Sequence, residues 1–225
     1  MHSLLYFMKK LFSLVSLCAL AQISYAQTTI SAGTLQVGGG INYTTRNEDV
    51  TTKIGNISNT AKYTVNSLTL TPSVGLFVAN NLAVGVNFSY TAANSYSNVG
   101  TTTTQTPTTQ MRVGGFVQYY KMVTEKFGVV GTLGGGYEHD FQPGIGAQGI
   151  NISTDGSYVG LTPSIVFFPI PKLSVGASVG SLAYTHLNVK PDKASGDYED
   201  TVSSFGAGFG LNQLLFSGTY YFGRK

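Results

Sequence analysis

The chain has no tryptophan and one cysteine, and only 10% of its 225 residues are charged. A single cysteine can form neither a disulfide framework nor a cysteine-based metal cluster. Soluble domains typically carry about 25% charged residues. So small a supply of Lys and Arg cannot build the basic stripe of a nucleic-acid binder, and nucleic acid is not an expected partner. What is abundant points elsewhere. Hydrophobic residues make up 42%, with 14 Tyr, 13 Phe and 28 Gly, too apolar and aromatic for a disordered chain. The length suits one large all-β domain or two small domains.

The N-terminus reads as an export signal. Lys9 and Lys10 precede an apolar run from Leu11 to Ala21, and Ser24-Tyr25-Ala26 follows as a small-x-small cleavage site. The run is 11 residues long, about half what a spanning helix needs. The expected division is residues 1–26 as signal peptide and 27–225 as the mature domain. Cys18 follows the bulky Leu17, which argues against a lipid anchor. Removing both signal lysines leaves 11 basic against 10 acidic residues, close to neutral.

Beyond the signal, apolar residues recur at every second position, the period of a β-strand with one face in an apolar medium. Eight such rows can be read. They include Leu35-Val37-Gly39-Ile41-Tyr43, Leu82-Val84-Val86-Phe88-Tyr90 and Met111-Val113-Gly115-Val117-Tyr119. Each is long enough for the roughly 9–11 tilted residues of a transmembrane strand. Long polar connections are expected near 46–62, 93–109, 139–156 and 188–201, and short turns at Asn80-Asn81, Thr124-Glu125 and 169–172. Alternation of long and short connections requires eight strands with both termini at the short-turn end. It is the asymmetry of membrane barrels, with short periplasmic turns and long extracellular loops. Tyr43, Tyr90, Tyr137 and Tyr184 fall toward the long-loop side, as an aromatic girdle would. A soluble lipocalin-type barrel buries its apolar row inward and lacks that asymmetry. The expected fold is therefore all-β: an eight-stranded, antiparallel, up-and-down transmembrane barrel.

Residues 70–85 and 161–176 align without gaps, LTPSVGLFVANNLAVG against LTPSIVFFPIPKLSVG, and eight of sixteen positions are identical. Two hairpins thus share one design. These segments, with the terminal LLFSGTYYF, resemble the small outer-membrane β-barrel proteins of Gram-negative bacteria, of OmpA/OmpX type and nearest to the barrels abundant in Bacteroidetes. The resemblance implies residence in the outer membrane among lipid and lipopolysaccharide, and a monomer. It also implies a final strand read by the barrel-assembly machinery, here through Leu214, Phe216, Tyr220 and Phe222. Gly223-Arg224-Lys225 follow, so the last aromatic is not the terminal residue.

Three irregularities are expected. Pro72 and Pro163 lie mid-row, and each should bring a bulge or a missing ladder bond. The alternation also slips after Gly180 and near Asn212, which should face each other as bulges in the last hairpin.

If the apolar rows face lipid, the alternate residues face a lumen. Among them are Gln36, Asn87, Gln118, Thr132 and Ser164, with many glycines making room for Phe116, Tyr120 and Tyr158. Arg112 and Glu138 are the charged exceptions in this set and should meet as an ion pair across neighbouring strands, each neutralising the other. Catalytic signals are sparse. The mature chain has two histidines, His139 beside Asp140 and His186, whose neighbour at position 188 is Asn rather than the Ser of a His-x-Ser arrangement. No cofactor, metal site or catalytic set is expected. Asp200-Thr201-Val202 matches a short O-glycosylation motif, as a Thr-rich chain does by chance. The lumen is expected to be filled by side chains, and the expected role is structural, or surface interaction through the long extracellular loops. The alternative is a narrow passive porin-like channel for small or apolar solutes, and a more distant one a lipid A-modifying enzyme.

Overall fold

The computed structural model describes residues 29–54, 57–99, 102–144, 149–178, 180–191, 200–210 and 214–224. The proposed signal peptide and Asn212 lie outside them. Ten strands follow in chain order: β1 (Leu35–Ile54), β2 (Ile57–Ala79), β3 (Leu82–Val99), β4 (Thr102–Met122), β5 (Phe127–Gln142), β6 (Ile152–Ile170), β7 (Leu173–Ser178), β8 (Gly180–Pro191), β9 (Asp200–Phe209) and β10 (Leu215–Phe222). Successive strands from β1 to β7 pair antiparallel, β7 pairs with β10, and β10 returns to β1. Eight strands close the ring. β8 continues the line of β7 along β6, and β9 pairs with β8, so the seventh and eighth strands of the barrel are each broken into two pieces.

The register explains which face meets lipid. Leu35 stands opposite both Leu76 and Phe222, and Val37 opposite Val74 and Tyr220, so apolar rows align across the wall. These side chains are exposed on the outside, whereas Gln36, Phe77, Phe116, Tyr120 and Tyr221 are buried inside. Where its ring is closed, a shell that is apolar outside and part polar within satisfies its backbone hydrogen bonds internally. That is what a β-structure needs to cross a bilayer. From Leu35 to Tyr43 the belt on β1 is roughly 21 Å tall when tilted about 40°, close to the apolar band of such barrels.

In the expected long loops near 46–62 and 93–109, the described residues are instead strand. β1 and β2 pair as far as Ile54–Ile57, and β3 and β4 as far as Val99–Thr102. The composition that suggested loops supports these extensions. Threonine favours the pleated backbone, and cross-strand side chains bond in pairs: Thr51 with Thr60 at 3.0 Å, Thr64 to Asn47 at 2.9 Å and Gln105 to Asn94 at 3.0 Å. Polarity marks the height at which the strands leave the membrane, not the point at which they end.

Both prolines sit at ladder faults. The β2–β3 pairing omits Thr71 and Pro72 opposite Phe88 and Ser89, with no change of register. Beside Pro163, two residues of β6 face three on the β7–β8 line, between the Ser164–Ser178 and Leu161–Leu182 pairs. Gly180 there has φ +142°, which an L side chain rarely adopts. The break after Phe209 lies directly across from it, between Gly180–Phe209 and Ser178–Leu215. Its consequence goes beyond a bulge. β10 leaves β1 at Ile41–Phe216, and above that level no ladder joins β9 to β1 among the described residues.

Candidate functional site

The lumen is the candidate site, built in three levels. Its floor, at the short-turn end, is an aromatic cluster. Phe77 lies 5.3 Å from Tyr120 and 6.2 Å from Tyr221 between ring centroids, and Phe168 lies 5.4 Å from Tyr221. All four rings, with Ile30, are at most 3% exposed. Phe77 and Phe168 occupy the same place in the two repeated hairpins, and both hairpins change register there. Ile30 enters on a strap: its N–H donates to Asn81 Oδ1 at 2.8 Å, the Asn81 N–H returns a bond to its carbonyl at 2.9 Å, and Phe77 N–H donates to Thr34. Polar atoms of the floor are paired. Tyr120 Oη donates to Gln36 Oε1 at 3.0 Å, Gln36 Nε2 to Gln118 Oε1 at 2.7 Å, and Gln118 Nε2 to Thr132 at 3.1 Å.

Above the floor is a cavity of about 290 Å3, lined by residues such as Asn87, Phe116, Gln118, Thr132 and Tyr158. Glycine keeps its walls thin. A Cβ at Gly85 would strike the Val74 carbonyl and the tip of the Phe116 ring.

The mouth carries charge. The register sets Arg112 directly opposite Glu138. Arg112 Nη2 lies 2.9 Å from Glu138 Oε2, and its Nε donates to the same oxygen at 3.0 Å. Gln110 Nε2 donates to Oε1 at 2.7 Å, and the guanidinium stands 5.1 Å from the Tyr158 ring centre. Glu138 is 2% exposed and Arg112 34%. A third charge joins them that the pairing argument did not include. Asp140 is two residues beyond Glu138 with the same inward parity. Burial and the neighbouring Glu138 charge push its carboxyl above the ordinary range. Arg112, Glu138 and Asp140 thus group two carboxylates with one guanidinium.

The histidines face outward, above the girdle. His139 Nδ1 is 2.7 Å from Asp155, which also accepts a hydrogen bond from Tyr137. His186 Nδ1 is 2.8 Å from Ser203 Oγ. This serine is distant in sequence, so a local motif could not reveal it. Asp155 is bonded to one histidine and Ser203 to the other. Of the terminal aromatic row, Phe216, Tyr220 and Phe222 face outward on β10. Leu214 lies just before that strand, its carbonyl accepting from Asn42 Nδ2.

Fold and surface thus define a transmembrane β-barrel with an aromatic floor. No protein-family model matches the chain, and no curated protein matches its sequence. Among solved structures it is similar to the outer membrane protein OprG from Pseudomonas aeruginosa, at 15% identity and a TM-score of 0.49, over 85% of this chain and 97% of that one.

Proposed function

We propose that the protein is a bacterial outer-membrane barrel that does not conduct, with a structural role or a role in surface interaction through its strand extensions. The observation that carries this reading is the floor. Ile30, Phe77, Tyr120, Phe168 and Tyr221 pack at the short-turn end with almost no exposure, and their polar atoms are hydrogen-bonded. A passage open to solvent would need those rings apart. The apolar belt and short turns support termini on the periplasmic side and extensions outside the cell, with lipid and lipopolysaccharide around a monomeric wall. The outward row Phe216-Tyr220-Phe222 supports recognition by the barrel-assembly machinery. The bonding of Asp155 to His139 and of Ser203 to His186, a different partner for each histidine, supports a non-enzymatic role.

The 290 Å3 cavity favours one second reading, a narrow porin-like path for small solutes that would open when the floor moves. Planar-bilayer recording decides between the two. The expected result is silence from the refolded chain and discrete steps once Phe77 and Tyr221 are both replaced by alanine. Steps from the unaltered chain favour the porin-like reading.

A further inference from the structure

We infer that the recess outside the floor, formed by Lys126, the 168–171 turn and Arg224, binds an oxyanion, either a carboxylate or a phosphate. Gly223 has φ +87°, a left-handed conformation that glycine adopts freely, and it turns the chain back beneath the barrel after β10. Arg224 is thereby laid over the Phe168 ring at 4.0 Å, with Tyr221 at 5.7 Å. It is 6% exposed, and its Nη1 is fully buried with no hydrogen-bond partner. No carboxylate forms an ion pair with it among the described residues.

An arginine so placed is costly, because a buried donor without an acceptor forfeits its hydration. Phe168 holds the guanidinium against the wall of the recess, and a guanidinium's fork of donors matches a carboxylate or phosphate. Arg224 also lines a recess of about 260 Å3, with Lys126 as a second cation and Glu125 as the one carboxylate among the described residues. Phe168 N–H donates to the Lys126 carbonyl at 2.7 Å, which keeps that turn against the ring. The repeat sharpens the contrast. At the first hairpin the Asn80-Asn81 turn holds the Ile30 strap against the floor. At the second, the aligned turn is Pro171-Lys172, and Arg224 lies beneath it beside a recess whose described lining holds two cations and one anion.

The test is NMR of the Arg224 side-chain N–H and Gly223 amide signals in the mature chain, refolded in a neutral detergent. It is titrated with inorganic phosphate and, separately, with acetate. Saturable shifts at these signals are expected. Arg224→Gln should weaken binding at least tenfold, Arg224→Lys should weaken it less, and Glu125→Gln should strengthen it severalfold. Absence of saturation, or equal affinity in Arg224→Gln, overturns the assignment. If Arg224→Gln fails to fold, Glu125→Gln decides alone, and unchanged affinity there overturns it too. Repeating the titration in bilayer discs with and without phosphatidylglycerol identifies the source. Competition by the lipid marks a headgroup, and its lack marks a free anion.

Discussion

Replacing Arg112 by alanine leaves Glu138, 2% exposed and bonded to Gln110, without its counter-charge and still beside Asp140. Losing one partner of such a pair costs about 3 kcal/mol or more, because the remaining charge stays desolvated. Arg112→Ala should therefore unfold at clearly lower temperature in detergent, and the double variant Arg112→Ala/Glu138→Gln should recover much of the loss. Equal melting of Arg112→Ala and the unaltered chain would show that the pair holds nothing together. Asp140 predicts a pH effect of definite sign. Its carboxyl titrates above its ordinary 3.8 when folded. The folded state then binds this proton more tightly than the unfolded state does, so stability is lost as pH rises from about 3.8 through the folded value. Asp140→Asn should remove that part of the decline, seen as a flatter melting profile across the acidic range. Gly85→Ala should also lower stability, since its Cβ meets a backbone carbonyl that cannot yield.

Among the elements, the last hairpin differs from the others. β3 is paired on both sides throughout most of its length, whereas among the described residues β9 is paired on one side only. Amide hydrogen exchange should therefore reach β9 well before the Leu82–Tyr90 part of β3. Equal protection would mean that β9 finds a second neighbour in the membrane. The origin of the break was partly legible in the sequence. The slipped alternation at Gly180 and Pro163 mid-row mark one level of the wall. What alternation cannot tell is whether a slipped strand rejoins its neighbour above the fault, because face and partner are separate properties. The long Thr-rich stretches were misjudged for a related reason. Alternation reports contact with lipid, and above the membrane both faces of a strand are wet, so the signal stops while the strand continues.

For the whole molecule, ring closure, the outward face and the Arg112–Glu138 juxtaposition could be reached from parity and turn positions alone. The floor could not. Its rings come from β2, β4, β6 and β10, and its strap from residues before β1, brought together only by closure of the barrel. The histidine partners Asp155 and Ser203 were hidden likewise, since each lies on a neighbouring strand across a hairpin. The floor decides the account, because cavity, mouth and extensions serve a conducting and a closed barrel equally well. Single-channel recording of the refolded mature chain in a planar bilayer is therefore the most direct measurement. A closed barrel gives no steps across the accessible voltage range until the Phe77 and Tyr221 rings are removed. Steady steps from the unaltered protein, insensitive to those two substitutions, would contradict it.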